Sequence, residues 1–165
     1  MGQEKINPTN RIAVIRVRGT IDRSYSIKKT LNLLRLNRTN HCTIIDDRVT
    51  FKGMLQKAKD TITWGEIDSE TFKSLLLKRG QVEGGGRLTD EYIKANSKFK
   101  DVDDFIKSFL TFKADIKDIK GLKPVFRLHP PRKGHNIRGV KKPYTLGGAL
   151  GYRGKEINKL IDKMA

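Results

Sequence analysis

The stretch from Gly121 to Lys155 limits what this chain can become more than any other part of it. It carries nine basic side chains (Lys123, Arg127, Arg132, Lys133, Arg138, Lys141, Lys142, Arg153 and Lys155) and no Asp or Glu, so it cannot neutralise itself. Pro130, Pro131 and Pro143 exclude helix, and seven glycines let the backbone turn and come close to a surface. Ordering such a segment costs about 1–2 kcal/mol of backbone entropy per residue, with few apolar groups to offset it. A polyanion could supply the missing interactions. The expectation is a loop over 127–153 that is disordered alone and ordered on nucleic acid, with the rest of the chain as its scaffold.

The remaining charge supports a nucleic-acid partner. The 165 residues carry a net charge of +17, and the longest apolar runs fall well short of the roughly 18 residues of a membrane-spanning helix. The N-terminus is polar and lacks the apolar segment of a signal peptide, and the single Cys42 allows no internal disulfide. A cytoplasmic protein is expected. Residues 5–38 hold nine basic groups against Asp22 alone, whereas residues 60–118 hold ten basic against twelve acidic. That segregation suggests a second basic surface, Arg16, Arg18, Arg23, Lys28 and Lys29, beside the main loop, with a neutral flank turned to solvent.

The order of elements reads β-α-β-α-β from Arg11 to Trp64. Arg11–Val17, Cys42–Ile45 and Thr61–Trp64 are strands by their β-branched content. Between them, a helix capped by Ser26 carries Ile27, Leu31 and Leu34 on one face, and a helix capped by Thr50 carries Phe51, Met54, Leu55 and Ala58. Asp68 then caps Ser69–Arg79, with Gly80 as its C-terminal stop. Thr89 caps a short helix. Asp101 starts another with Val102, Phe105, Ile106 and Phe109 inward, and Gly154 opens a last one with Ile157, Leu160, Ile161 and Met164. The division is a flexible extension over 1–10, a β-α-β-α-β core over 11–67, a helical segment over 68–120, and a basic loop with a terminal helix over 121–165. The fold class is α+β, with the helices of the core packed on one sheet face.

Catalytic readings fail on their residues. Gly154-Lys155 lies among glycines as in a phosphate-binding loop, but Ala149 stands where the first glycine is needed and Glu156 replaces the magnesium-binding Ser or Thr. His41, His129 and His135 lack paired zinc spacing, and the acids at 101–104 precede a helix they can cap. No nucleophile and base come together, so neither catalysis, cofactor nor metal is expected. The candidate nucleic-acid-binding residues are Arg127, His129, Arg132, Lys133, His135, Arg138, Lys141, Lys142, Tyr144, Gly148, Gly151, Arg153 and Lys155. In this set arginines and lysines pair phosphates, glycines allow close approach, and histidines or tyrosines meet bases.

Several runs carry a family resemblance: Leu31-Asn-Leu-Leu-Arg-Leu36 with His41 and Ile44-Ile45-Asp46, Lys52-Gly-Met-Leu-Gln-Lys57 with Ile62-Thr-Trp-Gly65, Lys78-Arg-Gly80, Leu88-Thr-Asp90, Phe126-Arg-Leu-His-Pro-Pro-Arg132 and Gly147-Gly-Ala-Leu-Gly-Tyr-Arg-Gly154. Together they resemble the L-thirty family of large-subunit ribosomal proteins, in its long archaeal form related to the eukaryotic protein L-seven. The likeness runs from Arg11 to Ala165. It implies a core similar to the ferredoxin-like fold with a C-terminal extension. It also implies a structural role in the large (50S) subunit, binding to 23S ribosomal RNA with the 5S RNA nearby, and ribosomal proteins as neighbours. An assembly factor of the same fold, leaving before maturation, is the alternative. Residues 1–10 extend ahead of the usual start, and Lys133 sits where many long members have glycine.

Overall fold

All six residues of β1 (Arg11–Arg16) are buried, which requires a strand covered on both faces. Alternation sends Ile12 and Val14 into one apolar cluster and Ala13 and Ile15 into another. The computed structural model describes residues 10–135 and 138–165; apart from Asn10, the extension over 1–10 lies outside them. β1 is the centre of a five-stranded sheet of order β4-β2-β1-β3-β5, with β2 at His41–Asp46, β3 at Ile62–Glu66, β4 at Phe126–Arg127 and β5 at Gly151–Tyr152. β2 and β3 both run antiparallel to β1, β4 is antiparallel to β2, and β5 is parallel to β3.

One face is covered by α1 (Tyr25–Leu33) and α2 (Val49–Ala58), whose Leu31, Leu55 and Ala58 are buried against Ile12, Val14 and Ile62. The first two helices thus share a face, as their stripes require. The other face is covered by the later helices α3 (Ser69–Arg79), α4 (Asp90–Asn96), α5 (Val102–Leu110) and α6 (Glu156–Met164). There Phe72, Phe105 and Phe109 are buried together, with Phe72 and Phe109 stacked at 4.7 Å between ring centroids. Rings of this kind contribute about 1.5–3 kcal/mol each by burial. The sheet therefore unites the 11–67 core with residues from the last third of the chain.

The helix starts correct several sequence expectations. α1 begins earlier, after Ser24 rather than Ser26, and α2 follows Arg48 rather than Thr50; neither cap residue makes a side-chain cap bond. Thr89 does cap α4, accepting from Tyr92 N. α3 has the expected limits, but the Asp68 carboxylate is diverted: its Oδ2 accepts from Asn158 Nδ2 at 2.8 Å, and Asn158 Oδ1 accepts from Asp68 N at 3.1 Å. Buried Asn158 thus fastens α6 to the β3–α3 junction. Gly80 ends α3 in extended backbone, not the left-handed form; a Cβ there would lie 2.3 Å from the Leu76 carbonyl oxygen.

Candidate nucleic-acid interface

The sheet has one end where β1 stops and β2 and β3 begin. There Arg16 lies opposite Ile62, Ile15 opposite Cys42, and His41 opposite Arg127 on β4. Backbone bonds continue the pairing past the strands. Val17 N and Arg18 N both donate to Thr61 O, Asn40 N to Arg16 O, and Leu128 N to Asn40 O, all within 2.8–3.0 Å. The two basic regions, far apart in sequence, meet at this end.

The described residues of the main loop pack onto the same end. Val140, Ala149 and Leu150 form an apolar cluster with Val17, which follows β1. Lys142 O accepts from Ala149 N at 3.0 Å and Leu150 N at 3.2 Å, while Tyr144 N donates to Leu150 O at 2.7 Å. Farther back, His129 N and Arg132 N donate to Met164 O and Lys163 O at the end of α6. The offset that the segment's own composition lacks comes from the end of β1, from β3 and from α6.

Arginines that read as RNA contacts hold this arrangement from inside. Arg153 is buried: its Nε donates to Thr63 Oγ1 at 2.8 Å, its Nη2 to Ala149 O at 2.7 Å, and its guanidinium lies 4.8 Å from the Tyr144 ring centroid. Arg16 is buried too and donates to the carbonyls of Arg18, Leu36 and Asn37. Burial lowers the pKa of both from the usual arginine value, yet arginine stays charged at any physiological pH. Gly148 is buried as well, and a Cβ there would fall 2.0 Å from Lys142 O, so its close approach is to the protein's own backbone. These three positions are withdrawn from the outer surface.

Of the other candidates, Arg127, His129, Arg132, Lys133, Arg138, Lys141, Lys142 and Lys155 are exposed, and His135, Tyr144 and Gly151 are half-buried. In the second set Lys28 and Lys29 are exposed and Arg18 and Arg23 half-buried. Lys133 has a φ of 64°, the left-handed backbone for which glycine is the easiest residue. Lys155 stands apart: Gly154 beside it packs against Gly65, and Arg153 N bonds Trp64 O, toward the far end of β3. Tyr152 also points that way, donating to Glu66 Oε1 at 2.7 Å. This bond, then burial and the neighbouring carboxylates, raises its pKa.

The ion pairs are distributed unevenly. Arg11 with Asp46 and Asp115, Arg48 with Asp46, and Lys52 with Asp47 lie at the opposite end of the sheet, and the remaining pairs join Lys73–Asp103, Lys94–Asp101 and Lys159–Glu156. Among the described residues, none of the candidate RNA-facing arginines and lysines is in an ion pair. Sequence reading missed Arg38 as a member of this end and did not join His41 to Arg127; the signal was the β2–β4 register, which only the fold supplies. It also missed Ile21 in the β1–α1 loop and Tyr25 at the start of α1, which stand 86% and 80% exposed near Arg18, Arg23, Lys28 and Lys29 in sequence. Among the described residues no His, Cys, Asp and Glu group is arranged to hold a metal, and no helix is long and apolar enough to cross a membrane.

A family model for ribosomal protein L30p/L7e matches residues 12–62. The chain is 50% identical over 148 residues to the large ribosomal subunit protein uL30 of Methanopyrus kandleri, covering 90% of this chain and 99% of that protein. It is 48% identical over 152 residues to the protein of the same name from Archaeoglobus fulgidus and 45% identical over 152 residues to that from Methanocella arvoryzae, in each case across 92% of this chain and 98% of the relative.

Proposed function

The chain belongs to the ribosomal protein L30p/L7e family, and from that premise we propose that the basic end of its sheet is the face it presents to ribosomal RNA. It is a structural constituent of the large ribosomal subunit and works in the cytoplasm, where that particle works. The observation that carries the assignment of the face is the gathering of exposed cations without carboxylate partners at one end of the sheet, while the carboxylates of Asp46 and Asp47 at the other end are paired.

On this reading Arg127, Arg132, Lys133, Arg138, Lys141, Lys142, Arg18, Arg23, Lys28 and Lys29 neutralise phosphates and release counterions. Arg16, Arg153 and Gly148 act indirectly, fixing the shape in which those charges are offered. Tyr25, rather than Tyr144 or Tyr152, is the aromatic side chain free to stack on an unpaired base. The finer partner is the 23S RNA, with the 5S RNA close by, as the resemblance to the long archaeal form implies.

The test is affinity for transcribed large-subunit ribosomal RNA across a salt series, together with cosedimentation in moderate salt. Stable cosedimentation with mature subunits and a steep salt dependence are expected. Presence only on immature particles would favour the assembly-factor role instead.

A further inference from the structure

Where the α1–β2 loop meets β4, Arg38, His41 and Arg127 come together on one rim of the basic end of the sheet. His41 and Arg127 are Cα partners across the antiparallel β2–β4 pair, and His41 N donates to Arg38 O at 3.3 Å, which sets Arg38 on the same rim. Arg38 and Arg127 are exposed, and among the described residues neither guanidinium has an ion pair or hydrogen bond. Arg16 lies beneath them with its guanidinium already engaged by carbonyls, so it adds positive charge without taking up an anion. Among the described residues, no carboxylate forms an ion pair with any member of the cluster.

We propose that Arg38, His41 and Arg127 form a binding site for a single phosphodiester group, a fixed anchor within the wider RNA-facing end of the sheet. This rests on the RNA-binding reading above and sharpens it to one ligand group and three residues. The two arginines come from separate elements whose backbones are both tied to His41, Arg127 by the β2–β4 pairing and Arg38 by the His41 N–Arg38 O bond, so their side chains start from fixed positions on one rim. Arginine suits the task because its planar fork pairs two phosphate oxygens at once. His41 supplies a neutral donor: its Nδ1 is buried without a partner among the described residues, which favours the tautomer with the proton on Nε2. Burial first, then Arg127, Arg38 and Arg16, lowers its pKa and keeps the ring neutral at pH 7. In that tautomer a phosphate oxygen accepts from Nε2–H.

The experiment measures the affinity of full-length protein for transcribed large-subunit ribosomal RNA at several salt concentrations. Arg38→Ala and Arg127→Ala should each lower affinity roughly tenfold and make the logarithmic salt slope shallower by about one unit. Because both hold the same phosphate, the double variant should lose little more than either single one. His41→Gln, which keeps a side-chain N–H, should bind better than His41→Ala. Circular dichroism guards against misfolding, and Lys141→Ala with Lys142→Ala serves as the reference pair. If that pair flattens the slope while Arg38→Ala and Arg127→Ala do not, or if the two arginine losses add fully, the anchor is overturned and the broader interface stands. If no variant changes the slope, the broader interface falls and the anchor falls with it.

Discussion

Arg11 and Arg16 close the two ends of the same buried strand, yet they stand in opposite company. Arg11 is bound to the Asp46 carboxylate, to the carbonyls of Phe109 and Ala114, and packs its guanidinium 4.0 Å from the Phe109 ring centroid. Arg16 meets only carbonyl oxygens. At one end the positive charge is cancelled inside the protein and ties β1 to the end of α5. At the other it is held in place and left uncancelled, next to a surface of further cations. The two arginines are equally structural, so burial alone does not tell a stabilising charge from one that shapes an interface. The presence or absence of a carboxylate does.

The largest effect should come from breaking the cancelled end. Arg11→Met leaves the mostly buried Asp46 with only the exposed Arg48 as partner, and should cost about 3 kcal/mol in urea denaturation while the folded variant binds RNA with an unchanged salt slope. Next is Arg153→Lys, which gives up the forked contact to Thr63 and Ala149. It should cost about 1.5–3 kcal/mol and release the amides of Tyr144 and Leu150 to hydrogen exchange, both of which should be protected in the isolated wild-type protein. Free exchange of those amides in the wild type would return the loop to the disordered state that its composition suggests.

Lys141→Ala with Lys142→Ala sharpens the contrast from the other side. Stability should stay within about 0.5 kcal/mol, since both are exposed, while the salt slope of RNA binding becomes shallower by roughly one unit for each phosphate left without its lysine. The smallest effect is on pH. Burial, followed by nearby arginines, lowers the pKa of His41 and His135 in the folded chain below the ordinary 6.5. The unfolded chain therefore binds protons first, and the stability these residues contribute is present above about pH 6.5 and lost as pH falls below it. Replacing both by Gln should reduce the drop in urea midpoint between pH 7.5 and 5.5.

The parts of this comparison legible in the sequence are those set by local periodicity. The β-α-β-α-β core, the limits of α3 and the inward stripe of α5 follow from spacing of apolar residues that the fold keeps. Two-residue strands β4 and β5 have no such period. They exist because Phe126 pairs with Cys42 and Gly151 with Thr63, partners more than eighty residues away. Charge counting finds the basic regions but treats every arginine as solvent-facing. Whether Arg16 or Arg153 turns inward depends on carbonyls brought by other elements, and no local pattern marks it. The glycine-rich composition near 148 suggests access for RNA, whereas the close approach it permits is to Lys142 O.

Chemical acetylation of surface lysines, read by mass spectrometry with and without transcribed large-subunit RNA, tests the division between the two ends most directly. Lys28, Lys29, Lys133, Lys141 and Lys142 should be protected by RNA, while Lys73, Lys94 and Lys117 on the acidic flank keep their free reactivity. Protection of the flank with continued modification of Lys141 and Lys142 would contradict the account.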